Sequence, residues 1–192
     1  MRILFFDTET TGLPKNWKAP VTDIDNWPRI IQMAWLITDE HGNEIDRYKS
    51  LIKPDGWRVP TEKFWTDHGY STETNEREGV PIKMVLNAFH ADLSEANIMV
   101  SHNISFDQAV AGAEMIRLSL RFPTIRKICT KDASTDHCRI PGNYGKYKWP
   151  KLSELHQVLF KRGFEGAHDA LGDVSACKDC FFELVKLKVI TL

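Results

Sequence analysis

The apolar run Ile3-Leu4-Phe5-Phe6 meets two acids, Asp7 and Glu9, and then the polar cluster Thr10-Thr11-Gly12. An unbroken apolar run bounded by turn formers suits a strand buried on both faces, which belongs in the middle of its sheet. Residues two apart on a strand project to the same side, so Asp7 and Glu9 share a face at its end. Enclosing such a strand takes a large core. The 192 residues, 42% hydrophobic and 27% charged, supply one and exclude a disordered, collagen-like or disulfide-framework chain. No repeat, low-complexity tract or Gly/Ser linker divides the sequence, so residues 1–192 are expected to form a single domain.

The order of elements extends this picture. Ile30 to Thr38 and Ile45 to Ile52 flank the turn-rich Glu40-His41-Gly42-Asn43, which predicts an antiparallel hairpin beside the first strand. From Pro81, Ile82, Val85, Leu86, Phe89 and Leu93 recur at helical spacing, and Asn97 to Val100 returns as a short strand leading into Ser101-His102-Asn103. A helix from about Ser105 to Leu120, stopped by Pro123, and a fifth strand at Ile125 to Thr130 follow. Pro150 opens a helix with apolar Leu152, Leu155, Val158 and Leu159, closed by Gly163. From Asp169, Leu171, Val174, Cys177, Phe181 and Leu184 give the last helix one long apolar face. Pro54 to Gly79, acidic with interspersed aromatics, is read as short helix and loop. Strands first, then alternating helix and strand, predict an α/β fold: a mixed five-stranded sheet with helices on both faces.

Lys and Arg number 25 against 26 Asp and Glu, a net charge of −1, so any attraction to a polyanion must be local. It has a place to be. Met115 to Lys151 holds nine basic residues and two acidic ones, and within it Arg139 to Lys151 carries four cations, no acid, and Tyr144, Tyr147 and Trp149. Cations for phosphates and aromatics for bases suit single-stranded nucleic acid, although a solvated basic loop is the plainer reading. The early acid at Asp7 argues against a signal peptide and no apolar run is long enough to span a bilayer, so a cytoplasmic protein without membrane contact is expected. Cys177-Lys178-Asp179-Cys180 has zinc-like spacing that His137-Cys138 would complete, but its helical steps favour small core residues.

Three clusters carry the chemistry. Two carboxylates crowding one strand end are costly unless a cation neutralises them, and hard oxygen ligands suit Mg²⁺ or Mn²⁺, although a solvated strand end is the commoner use of such a pair. Asp107, near the start of the second long helix, can reach the same end of the sheet, its plainer role being to favour the helix dipole. In Gly166-Ala167-His168-Asp169-Ala170-Leu171-Gly172-Asp173, His168 and Asp173 would stand about 140° apart on one ideal helix. They converge if His168 sits on the loop that Gly166 allows and Asp173 on the helix.

Phe6-Asp7-Thr8-Glu9-Thr10-Thr11-Gly12-Leu13, Ser101-His102-Asn103-Ile104-Ser105-Phe106-Asp107 and His168-Asp169-Ala170-Leu171-Gly172-Asp173 together resemble, in the same order, the three exonuclease motifs of the DEDDh, or DnaQ-like, superfamily, which includes the proofreading subunit of the bacterial replicative polymerase. The resemblance extends to Asp67-His68-Gly69 and the Lys151-Leu152-Ser153-Glu154-Leu155 helix. It implies a ribonuclease-H-like fold and a 3′-to-5′ exonuclease that releases nucleoside 5′-monophosphates by hydrolysis with two divalent ions, Mg²⁺ or Mn²⁺. Asp7 would bridge both ions, Glu9 and Asp173 would complete the site of one, Asp107 would support the other, and His168 would be the general base. Thr10, Gly12 and Leu13, with His68, Asn103 and Phe106, would hold the terminal nucleotide. Single-stranded or frayed DNA ends are the expected substrate, RNA is the alternative, and a polymerase or repair protein is an expected partner. A silent binding module of the same fold is disfavoured because all four carboxylates and the histidine are present. A ribonuclease-H-type endonuclease would share the carboxylate cluster, but the His168-to-Asp173 motif favours the exonuclease branch.

Overall fold

The computed structural model describes residues 1–192. Three antiparallel strands open the chain: β1 (Ile3–Thr10), β2 (Ile30–Thr38) and β3 (Glu44–Lys53). Two short helices follow, α1 (Lys63–Asp67) and α2 (Thr72–Glu78), then the two-residue β4 (Val80–Pro81) and α3 (Ile82–Glu95). The rest alternates: β5 (Ile98–Ser101), α4 (Ile104–Arg117), β6 (Arg126–Cys129), α5 (Thr130–Cys138), α6 (Leu152–Phe160) and α7 (Ala170–Lys186). The sheet has six strands in the order β4-β3-β2-β1-β5-β6, not the expected five. The extra strand, β4, pairs Ile52 with Val80 and Lys53 with Pro81, too short a segment to leave a periodic signal.

β1 is central as predicted, antiparallel to β2 and parallel to β5. Its alternation feeds two cores. Leu4 and Phe6 face a cluster with Val85, Leu86, Phe89 and Val110 of α3 and α4, whereas Ile3 and Phe5 face Val174, Cys177, Cys180, Phe181 and Leu184 of α7. Each large side chain so buried contributes about 1.5–3 kcal/mol. Cys177 and Cys180 are therefore core residues, as their helical spacing indicated, and neither belongs to a cluster of metal-ligating side chains.

Two helices end earlier than expected, and a third helix was not foreseen. α4 ends at Arg117 rather than Leu120, because Ser119 takes a left-handed conformation (φ 59°) that a helix cannot continue. α5 was not predicted: its sequence, Thr-Lys-Asp-Ala-Ser-Thr-Asp-His-Cys, has no apolar stripe, and its buried groups are Thr130 and Ser134. α6 stops at Phe160, before Gly163, where Lys161 adopts φ 60°. No helix is long and apolar enough to cross a membrane.

Candidate active site

β1 outruns its parallel neighbour, since the pairing with β5 ends at Phe5 and Val100. The backbone beyond needs another partner, and Asp107 of α4 provides it. Its Oδ1 accepts from the Thr8 amide (3.2 Å) and the Thr8 hydroxyl (2.9 Å), and its Oδ2 accepts from Ser101 Oγ (2.6 Å). Both acceptor positions of Oδ1 are thus used, and Oδ2 keeps one lone pair for a ligand. Asp7 and Glu9 share the opposite face of β1, the face that packs on α7.

α7 begins two residues after His168. Asp169 is its N-cap, accepting from the Gly172 amide (3.3 Å), and Asp173 lies in the first turn. Gly166 (φ 79°) and His168 (φ 66°) curl the preceding loop back, so that the His168 amide donates to Asp173 Oδ2 (3.0 Å). The loop-plus-helix placement anticipated for this pair is the one adopted. Ligand atoms of Glu9, His168 and Asp173 lie within 4.8 Å of one another, and Asp7 and Asp107 line the same cleft.

Electrostatics follow from this crowding. Burial, reinforced by Asp107, Asp173 and Glu9, pushes the Asp7 carboxyl well above the usual carboxylate range. Burial, then Asp173 and Asp107, raises Glu9 to about 7. Burial also raises Asp107 and Asp173, each to about 6, against the hydrogen bonds that they accept. None of the four pairs with a Lys or Arg side chain; the nearest ion pair, Lys49 to Asp169 (2.5 Å), lies to one side. Four carboxylate groups with hard oxygen donors and no Lys or Arg partner are a fitting donor set for divalent ions. His168 is shifted the other way, lowered by burial and then by His68 and Lys151.

The residues expected to hold a nucleotide divide into two groups. Leu13 (72% exposed), Asn103 and Phe106 line the cleft with the carboxylates. Thr10 and Gly12 instead shape the turn, the Thr10 hydroxyl donating to the Gly12 carbonyl (2.7 Å). His68 stands beside His168, with ring centroids 4.7 Å apart, and its Nδ1 lies 2.6 Å from the Phe64 carbonyl.

Four residues outside the predicted set complete the surroundings. Trp17, 56% exposed and 5.7 Å from Phe106 between ring centroids, adds an aromatic wall to the cleft. His102 lines the cleft on both sides of Asp7, and Gln32 and Tyr70 anchor the His168 loop from beneath. An aromatic in the turn after the first motif was a signal available for Trp17. Gln32 sits inside a run that looks purely structural and had none.

The family model RNase_T, described as exonuclease, matches residues 4–181. The chain belongs to this exonuclease family. Among curated proteins no sequence matches. Solved structures similar to this family member include one of exonuclease I at 18% identity with a TM-score of 0.77, covering 98% of this chain and 42% of that one. The zinc-bound complex of E. coli exonuclease I with single-stranded DNA is similar at 22% identity and TM-score 0.72, over 97% of this chain and 40% of the other. Exonuclease I of the moderately thermophilic Methylocaldum szegediense gives 19% identity and TM-score 0.72, over 96% and 40%. The chain thus spans less than half of these solved chains, and the likeness establishes the ribonuclease-H-like exonuclease fold.

Proposed function

We propose that the protein is a metal-dependent exonuclease that removes nucleoside 5′-monophosphates from the 3′ ends of single-stranded DNA, with residues 1–192 acting as one domain. The observation that carries this reading is the gathering of Glu9, His168 and Asp173 within 4.8 Å, beside Asp7 and Asp107, in one cleft at the ends of β1 and β5. Asp7, Glu9, Asp107 and Asp173 would hold two divalent ions, Mg²⁺ or Mn²⁺, which when bound acidify a water and offset charge on the attacking and leaving oxygens. His168, kept neutral by its lowered pKa, accepts the proton of the attacking water. The water oxygen bonds to the terminal phosphorus, the bond from phosphorus to the upstream 3′ oxygen breaks, and that oxygen takes a proton from solvent to leave as a hydroxyl. Leu13, Phe106 and Trp17 offer apolar surface to the terminal base, and Asn103 a polar contact. Four unpaired cysteines suit the reducing cytoplasm.

The test is digestion of a 5′-labelled single strand with Mg²⁺ or Mn²⁺, beside matching RNA and a circular strand. A ladder shortening from the 3′ end, absent with the circle and lost in Asp7→Asn, is expected. Cleavage of the circle, or retained turnover in Asp7→Asn, would overturn the assignment.

A further inference from the structure

The segment between α5 and α6 leaves three large aromatics in solvent: Trp149 is 65% exposed, Tyr147 45% and Tyr144 fully. Apolar rings left uncovered on a built loop call for an occupant, and this loop is built. Pro141 bridges Tyr147, the Gly142 amide donates to the Lys146 carbonyl (2.9 Å), and the Lys148 amide donates to Ile140 (3.0 Å), making a small hairpin. At its root Lys148 pairs with Glu154 (2.5 Å), which also accepts from the Lys151 amide (2.8 Å).

Three contacts tie this hairpin to the cleft. Pro150 is buried, and its carbonyl lies 3.0 Å from His102 Nε2. A carbonyl only accepts, so Nε2 carries the proton and Nδ1 accepts from the Thr130 hydroxyl at 2.9 Å. Lys131 places its ammonium 4.8 Å from the centroid of the Trp149 ring and also donates to Asn103, which lines the cleft. Lys151, next along the chain, lines the cleft with Asp7 and His168. One face of Trp149 thus meets a cation that is itself fixed to the cleft wall, while the residue as a whole stays 65% exposed.

Resting on the exonuclease reading, we infer that Trp149, backed by Lys131, is a stacking platform for a base of single-stranded DNA upstream of the 3′ end, with Lys146 taking a flanking phosphate. The charge fits this occupant: Arg139 to Lys151 holds four cations and no acid, whereas the catalytic cleft is acidic. A strand whose end lies among metal-neutralised carboxylates needs cations where it leaves them. Base-on-indole stacking tolerates any sequence because every base offers a π face. The feature therefore gives affinity that grows with strand length rather than base preference.

The experiment measures binding of labelled oligothymidylates, from dinucleotide to octanucleotide, to Asp7→Asn protein in chelator, so that no turnover intervenes. Affinity should rise with length. Adding Trp149→Ala should cost about tenfold on the octanucleotide and less than about twofold on the dinucleotide. Trp149→Leu, which keeps apolar packing, should lose as much, and Trp149→Phe should keep most of the affinity. Lys146→Ala should lower the salt slope of octanucleotide binding by about 1. Equal losses at all lengths, no loss, a loss confined to oligouridylates, or a changed oligomeric state without changed binding would each overturn the platform. A parent that binds by length yet yields no ladder would remove the exonuclease reading and leave the platform standing. A ladder without any Trp149 effect would remove the platform alone.

Discussion

His168 holds a left-handed backbone conformation (φ 66°), which costs a non-glycine residue energy and persists only under restraint from its surroundings. Two buried side chains supply that restraint. Gln32 Oε1 accepts from the Ala170 amide (2.8 Å), and the Tyr70 hydroxyl lies 2.9 Å from the His168 carbonyl and 3.1 Å from the same Gln32 oxygen. If His168 is the proposed base, Tyr70 is its positioning residue. Tyr70→Phe keeps the ring against Ile31 and Val59 but frees the loop. We expect kcat to fall by about tenfold to hundredfold with KM little changed, and the His168 imidazole resonances to broaden or shift in NMR spectra. Unchanged kcat and resonances would show that the loop holds its shape without the hydroxyl.

The α1–α2 segment shows how an element with little periodicity of its own is tied to the sheet by a buried polar side chain. Asn75, fully buried in α2, donates from Nδ2 to the carbonyls of Ile31 in β2 and Ile52 in β3, each at 2.9 Å. It satisfies two strands and seats the segment that carries His68 and Tyr70. Asn75→Ala leaves both carbonyls buried and unpaired, so unfolding in urea should show a loss of about 1–3 kcal/mol. A change within error would mean that water replaces the amide. Elements with a strong apolar stripe, α3 and α7, were legible in the sequence nearly to their ends, because burial of one face repeats every three or four residues. α5 and β4 were not, since a helix that buries only Thr130 and Ser134 and a two-residue pairing leave no such repeat.

Across the whole molecule, the acidic cleft makes the metal-free protein sensitive to pH. Glu9 is raised from 4.5 to about 7, and Asp107 and Asp173 from 3.8 to about 6. Between those limits the folded protein binds more protons than the unfolded chain, so stability falls as pH rises from about 4 to about 7. Asp7→Asn removes one of the repelling charges. In chelator its Tm should exceed that of the parent at pH 7, and the difference should vanish below pH 4. Mn²⁺ should raise the Tm of the parent at pH 7 more than at pH 5, and that of Asp7→Asn less than the parent's. A pH-independent Tm difference would mean that the gain comes from something other than carboxylate repulsion.

The central strand, the shared face of Asp7 and Glu9, the hairpin beside it, the helix faces, and the split of His168 and Asp173 between loop and helix are all readable in the order of residues. Each of these depends on backbone geometry and burial within a few residues. Folding in three dimensions adds the three-point hold on Asp107 by Thr8 and Ser101, the anchoring of His168 by Gln32 and Tyr70, the sixth strand, and the tie from Trp149 through Lys131 and Asn103 to the cleft. Several of these contacts join residues 28 to 138 apart in sequence. Local periodicity carries no record of such partners; the packing of both cores against one sheet brings them together.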